Sequence, residues 1–192
     1  MILFHNFHSS HTKEHKFLKL ILYQFPDIKH INQTFDLTLI DLDKHLDIRD
    51  IADSLRNDNH LPIRRKRQLL EILDKIPHSI KIINSLSDIT VDFTFEINNT
   101  YYFFELHEKQ HKKLSNNRKS RIYSANGETI YVPRFVQRFL RDIWRFKNLP
   151  NYRIIWDDWF ENNYENFNFN FDTGFFEYHD SNSFSFSKLL NK

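Results

Sequence analysis

Residues 89–107 carry the pattern that most constrains the fold. Residues 89–97 alternate apolar and polar side chains with a period of two and are rich in β-branched and aromatic types, which predicts a strand. Asn98 and Asn99 form a turn signal, and residues 100–107 are predicted to return as the second strand of a hairpin. The chain must therefore pack its other elements around at least one antiparallel strand pair.

The turn also predicts which side chains share a face of this hairpin. A turn centred between Asn98 and Asn99 sets Asp92 opposite Glu105, and directly paired side chains lie on the same face with their β-carbons ~5 Å apart. The same polar face is predicted to carry Thr90, Thr94, Glu96, His107 and Lys109. The other face is predicted to be the core side, with Val91, Phe93, Phe95, Ile97, Tyr102, Phe104 and Leu106.

Facing carboxylates indicate a cation site. Like charges opposite each other across two strands destabilise the pair, and a proton or a cation relieves the repulsion. A hard ion such as Mg²⁺ prefers one or two carboxylates together with water and phosphate oxygens. Such a site suits phosphodiester hydrolysis, with Asp92 and Glu105 as the candidate metal ligands. A basic group beyond the second acid would orient the water or stabilise charge, and His107 and Lys109 are the candidates.

The rest of the chain is predicted to be mostly helical before the hairpin and mixed after it. Helical spacing or composition predicts helices over 12–24, 36–56 and 62–76, and Pro133 opens a helix over 133–147. A short strand is predicted over 152–156, after a basic loop and that helix. A second hairpin is predicted over residues 165–178. The expected fold class is mixed α/β (α+β), with a small central mixed sheet flanked by helices.

This order of elements resembles the PD-(D/E)XK nuclease superfamily, which includes many type II restriction endonucleases. The motif of that superfamily is an aspartate on one strand of a hairpin and Glu-X-Lys on the next, followed by a helix and a further strand. Here the corresponding parts are Asp92, the stretch Glu105-Leu106-His107, the helix from Pro133 and the strand from Tyr152, so the resemblance covers residues 85–156. Two positions depart from the motif: Val91 replaces the proline, and His107 replaces the lysine, for which Lys109 is the alternative.

The resemblance implies a PD-(D/E)XK-like core and a site-specific endonuclease that hydrolyses double-stranded DNA with Mg²⁺. An enzyme that cuts a palindrome is expected to be a homodimer, because twofold DNA symmetry is matched by twofold protein symmetry. The alternative from another functional class is a non-catalytic nucleic-acid-binding protein. A third pattern, His107-Glu108-Lys109-Gln110-His111, matches the zinc-protease motif HExxH, but it follows a predicted strand and contains charged positions that a buried metalloprotease helix lacks.

Basic and amide side chains form three candidate DNA contacts. The first is the loop with Lys112, Lys113, Arg118, Lys119 and Arg121. The second is a stripe on the helix from Pro133, where Arg134, Arg138, Arg141 and Arg145 fall within about 60° of one another. The third is the strand with Asn166, Asn168 and Asn170, since asparagine can bond adenine in the major groove. An ordinary solvated surface is the alternative for all three.

Whole-chain properties set the remaining expectations. The 192 residues suit one domain, with a helical part over 1–86, a catalytic core over 87–156, and a C-terminal hairpin and tail over 157–192. The formal charge is only +2, so any basic surface must come from local clustering. With no cysteine, disulfides and thiolate metal sites are excluded. The sequence shows neither a signal-peptide pattern nor a membrane-length apolar run, so a cytoplasmic location without membrane contact is expected.

Overall fold

The computed structural model describes the centre of the chain and a few short pieces on either side. The described residues are 18, 22, 29–31, 42–43, 45–59, 61, 63–82, 91–97, 99–107, 118–156, 169–170 and 175–176.

The predicted central hairpin forms in the predicted register. Strands β4 (Phe93–Ile97) and β5 (Thr100–His107) pair antiparallel, with Phe93 facing Phe104. Asn99 closes the turn with a φ of 60°, in the left-handed region that asparagine tolerates better than most residues. The first strand is shorter than predicted, because regular pairing begins only at Phe93.

This hairpin lies at the centre of a four-stranded mixed sheet, which we call sheet A. Strand β1 (Lys29–Ile31) pairs antiparallel with β4, and strand β8 (Tyr152–Trp156) pairs parallel with β5. The resulting strand order is β1-β4-β5-β8. Because β5 and β8 are parallel neighbours, the chain between them must cross from one end of the sheet to the other, and a helix in that segment does so, as the sequence predicts.

A second four-stranded sheet, sheet B, was not predicted. Its strands are β2 (His45–Asp47), β3 (Ser79–Lys81), β6 (Lys119–Ser124) and β7 (Thr129–Pro133), all antiparallel in the order β2-β3-β6-β7.

Two predictions about these segments are therefore wrong. The basic loop predicted between the central hairpin and the helix from Pro133 is in part a second hairpin, formed by β6 and β7, whose inner face buries Ile122 and Val132. The charged residues between these apolar positions conceal the period-two pattern. The helix predicted over 36–56 is wrong at its centre, because residues 45–47 form β2.

Three helices are described. Helix α1 (Ile48–Asn57) begins after Asp47, whose carboxylate accepts a hydrogen bond from the Arg49 backbone N–H at 2.8 Å. Helix α2 (Ile63–Leu73) lies within the helix predicted over 62–76. Helix α3 (Arg134–Asn148) agrees closely with the predicted one, and Pro133 occupies its N-cap position.

Helix α3 contacts strands of both sheets, so the core lies around it. Its buried residues include Phe135, Val136, Phe139, Leu140 and Ile143, all in one apolar cluster with side chains of both sheets, α1 and α2. Burial of these side chains from several elements stabilises the fold, since each contributes about 1.5–3 kcal/mol when removed from water.

The C-terminal strands β9 (Phe169–Asn170) and β10 (Phe175–Phe176) pair antiparallel, in agreement with the predicted second hairpin. The fold class is mixed α/β, as expected. Among the described helices, none is long and apolar enough to cross a bilayer.

Candidate functional site

Asp92, the first predicted metal ligand, lies one residue before β4, whose pairing with β5 runs up to Phe93 and Phe104. Its carboxylate Oδ2 accepts a hydrogen bond from the Leu106 backbone N–H at 2.7 Å. The Asp92 carboxylate therefore accepts the hydrogen bond that the next backbone carbonyl would accept if the strand pairing continued. This bond holds the carboxylate beside the segment that carries Glu105.

Glu105 forms an ion pair that the sequence did not predict. Its Oε1 lies 2.9 Å from Arg145 Nη1 on α3. Its other oxygen, Oε2, is buried and accepts no hydrogen bond from any described residue. The Thr94 hydroxyl on the same face of the hairpin is also buried, and it too lacks a hydrogen-bond partner in the described part of the chain. One guanidinium therefore relieves part of the carboxylate repulsion and leaves one carboxylate oxygen available.

A buried polar network continues from this pair along α3. Arg145 Nη1 also lies 3.3 Å from Asp142 Oδ1 and 3.3 Å from the Tyr152 hydroxyl. On the other side of Asp142, its Oδ2 lies 3.5 Å from His107 Nε2. We call Glu105, His107, Asp142, Arg145 and Tyr152 the buried network. It joins two adjacent strands of sheet A to one helix.

Mutual interactions set the ionisation of these groups. Burial acts to raise the pKa of Asp142, but the neighbouring His107, Arg145 and Arg141 outweigh it and hold that pKa below the usual aspartate range. Burial acts to lower the pKa of Arg145, yet Tyr152, Glu105 and Asp142 raise it above the ordinary arginine value. Arg145 is therefore a permanent cation in the interior, and Asp142 is ionised at neutral pH.

The face predicted to be polar and exterior is in fact covered by α3. His107 is 4% exposed, and Phe103 on the same face belongs to the core cluster. The opposite face is buried as well, as predicted, with Phe93, Phe95, Phe104 and Leu106. The β4–β5 hairpin is therefore buried on both faces, and its alternating polarity marks a charged layer inside the protein instead of a solvated surface.

Arg145, one of the predicted DNA-binding residues, is buried by the same packing. Its side chain is 4% exposed and is committed to Glu105 and Asp142, so it does not lie on a phosphate-binding surface. The sequence feature that could have indicated this burial is Asp142, which is an acid on an otherwise basic helix face. It lies three residues before Arg145, a spacing at which two helical side chains can pair.

Five of the other predicted basic residues converge on one concave surface. A cleft of about 450 Å³ lies between α3 and the β6–β7 hairpin. We call it the basic cleft. It is lined by Arg118, Lys119, Arg121, Arg134 and Arg141, together with Ile82, Ser120, Tyr123, Tyr131 and Gln137. These five cations form no ion pair within the described residues, and none of the described lining residues is acidic. Arg138 from the predicted stripe does not line it.

Arg141 connects the basic cleft to the buried network. It lines the cleft, and its charge interacts with Arg145, Glu105 and Asp142. Burial, followed by repulsion from Arg145, lowers the pKa of Arg141 below the usual arginine value. Arg141 therefore contributes its charge both to the basic cleft and to the surroundings of the Glu105 and Asp142 carboxylates.

Several predicted site residues lie outside the described residues, namely Lys109, Lys112, Lys113, Asn166 and Asn168. Asn170 is the second and last residue of β9, and it pairs with Phe175 of β10. His107 is the last residue of β5, so the first histidine of the HExxH pattern is on a strand and not on the helix that a zinc protease requires.

Asp92 and Glu105 offer oxygen ligands of the kind that Mg²⁺ prefers, and the available Oε2 of Glu105 is consistent with such a use. Within the described residues there is no cluster of three or more histidine, aspartate and glutamate side chains placed to hold a metal by themselves. No family model, curated protein or solved structure matches this chain.

Proposed function

We propose that the protein is a Mg²⁺-dependent, site-specific endonuclease that hydrolyses phosphodiester bonds of double-stranded DNA. The observation that carries this proposal lies at the end of the β4–β5 hairpin, where a hydrogen bond from the Leu106 backbone N–H holds the Asp92 carboxylate beside the residue that follows Glu105. The helix and parallel strand that follow this hairpin, α3 and β8, support a PD-(D/E)XK-like core.

In this proposal Asp92 and Glu105 hold the metal through carboxylate oxygens. When bound, Mg²⁺ supplies a Lewis acid that polarises the phosphate and lowers the pKa of the attacking water. Arg145 holds Oε1 of Glu105, so Oε2 would be the oxygen left to bind the cation. Asp142 fixes His107, two residues beyond Glu105, in the place where the superfamily motif has a lysine. Lys109 stays the alternative for that role.

The basic cleft would hold the DNA backbone next to these carboxylates. Unpaired cations release counterions when they bind phosphates, so they contribute most of the affinity that is independent of sequence. Arg141 lines the cleft and its charge interacts with that of Glu105, which supports a phosphate-binding surface close to this proposed metal ligand. A homodimer remains part of this proposal, because a palindromic site requires two copies of the cleft.

A specific observation also favours a second function, non-catalytic nucleic-acid binding. Arg145 already compensates the charge of Glu105, and a backbone N–H already bonds Asp92. Both carboxylates therefore have a structural use without a metal. In that case the basic cleft binds DNA and the buried network only fastens α3 to sheet A.

Plasmid cleavage separates the two functions. The protein is incubated with supercoiled plasmid in Mg²⁺ and in EDTA, beside the variants Asp92→Asn and Glu128→Gln. Asparagine can still accept the Leu106 hydrogen bond, so Asp92→Asn preserves the strand end, and Glu128 is an exposed acid in the β6–β7 turn. The nuclease predicts discrete fragments that require Mg²⁺, are lost in Asp92→Asn and persist in Glu128→Gln. A mobility shift without cutting supports the second function instead.

A further inference from the structure

One wall of the basic cleft combines aromatic and basic side chains on a strand pair. Arg121 and Tyr131 face each other across β6 and β7, so their side chains lie on the same face. Lys119 and Tyr123 lie two positions from Arg121 along β6 and share that face. The opposite face carries the buried Ile122 and is turned to the core. The outer face therefore alternates cations with phenol rings.

Tyr131 is exposed to an unusual degree for so large a ring. It is 65% exposed, and within the described residues it takes part in no ring stacking or cation–π contact. Burial therefore gives no reason for an aromatic residue at this position. A free ring face among cations is the arrangement with which proteins stack unpaired bases while they bind the neighbouring phosphates.

The opposite wall is rigid and cationic. Helix α3 contributes Arg134 and Arg141, and Gln137 Nε2 donates a hydrogen bond to the Arg121 backbone carbonyl at 2.9 Å. Strand β3 pairs with β6 only at Tyr123 and Ser124, so this side-chain bond fastens α3 where the strand pairing has ended. Arg134 Nε is buried and lacks a hydrogen-bond partner among the described residues. The two walls of the cleft are thus joined directly by the hydrogen bond from Gln137 to Arg121.

We propose that the basic cleft takes a single, unpaired strand of DNA, with one base stacked on Tyr131 and the adjoining phosphates bound by Arg121, Arg134 and Arg141. The cleft volume of about 450 Å³ is that of a site for one group of nucleotide size. The stacking surface is of use only for a base released from its pair. This inference rests on the proposed function for its choice of DNA, and it adds that the strand in the cleft is unpaired.

Fluorescence anisotropy tests the inference without any cleavage. A 5′-labelled dT12 strand and the same strand in a blunt duplex are titrated with the full-length protein in EDTA at low salt. We expect dT12 to bind at least tenfold more tightly than the duplex. Tyr131→Ala should weaken dT12 binding by about 5- to 150-fold, which corresponds to the loss of one stacked base, and leave duplex binding within about twofold.

Three further variants locate the effect. Tyr131→Phe keeps the ring and should retain dT12 affinity within about twofold. Thr129→Ala, on the exposed face of the same strand, is the matched control and should change nothing. Arg121→Ala should weaken both DNA forms and lower the salt dependence by about one phosphate contact.

Equal affinity for dT12 and duplex, or an unchanged dT12 affinity in Tyr131→Ala, overturns the inference. Because EDTA removes metal-dependent chemistry, these outcomes do not depend on whether the protein cuts DNA. If the protein cleaves plasmid but fails this test, the proposed function stands and the inference of an unpaired strand in the cleft is rejected. If the protein passes this test but never cleaves DNA, the nuclease proposal is rejected and the inference about the cleft stands.

Discussion

Replacement of Arg145 by methionine tests whether the buried network stabilises the fold. Arg145 is 4% exposed and lies 2.9 Å from Glu105 and 3.3 Å from Asp142. Methionine fills much of the same volume but carries no charge. The variant would leave Glu105 with only the more distant charge of Arg141, and it would leave Asp142 with His107, Arg141 and the hydrogen bond from the Tyr152 hydroxyl.

The expected loss follows from the geometry. Two unit charges 2.9 Å apart attract by about 6 kcal/mol at an effective dielectric constant of ~20, and desolvation of both groups offsets much of that. Removal of one partner nevertheless costs about 3–5 kcal/mol, because the other charge stays buried without compensation. Whole domains are stable by only about 5–15 kcal/mol, so Arg145→Met should lose a large share of the total.

Urea unfolding followed by tryptophan fluorescence measures this loss, since Trp144 is buried next to Arg145 in α3. With a slope of about 2 kcal/mol per molar urea, the midpoint should fall by about 1.5–2.5 M. The matched control is Arg121→Met in the basic cleft, which should stay within about 0.5 kcal/mol of the wild type because Arg121 is exposed. The double variant Arg145→Met/Glu105→Gln should be less destabilised than the sum of the single variants by about 0.5–3 kcal/mol.

A loss below about 1 kcal/mol in Arg145→Met with an unchanged slope would refute the reasoning. It would mean that Arg145 reaches solvent and that the original prediction of a surface stripe was correct. Strict additivity in the double variant would show that Arg145 and Glu105 do not interact in solution.

Two further predictions concern acid stability and the central turn. Although burial opposes it, the charges of His107, Arg145 and Arg141 keep the pKa of Asp142 below its unfolded value of about 3.9. This stabilisation is therefore complete above about pH 4 and is lost as pH falls through the folded-state pKa. Urea midpoints between pH 5 and 2 should fall less steeply in Asp142→Asn than in the wild type, and parallel curves would contradict this. In the turn, Asn99→Val should lower stability by about 1–2 kcal/mol, because its φ of 60° disfavours a β-branched residue, whereas Asn99→Gly should not. Thermal melts compare the two, and equal melting temperatures would contradict the strain.

Local patterns were sufficient where neighbouring residues decide the structure. Period-two alternation and an asparagine turn gave the β4–β5 register, and Pro133 with an apolar stripe gave α3 almost to the residue. The same patterns failed for β2 and β3, which have three residues each and owe their extended form to pairing with each other and with β6. Strands this short carry too few residues for a periodic signal.

The sequence by itself determined how β4 and β5 pair, because a hairpin register depends only on its turn and strand pattern. Only the tertiary structure decided what surrounds them. Helix α3 packs on the face that alternation alone assigned to solvent, so Arg145 becomes a buried partner of Glu105 while Arg134 and Arg141 stay in the cleft. Helical spacing predicts the direction in which each side chain leaves the helix. Which arginine is buried depends on where the sheet packs against that helix.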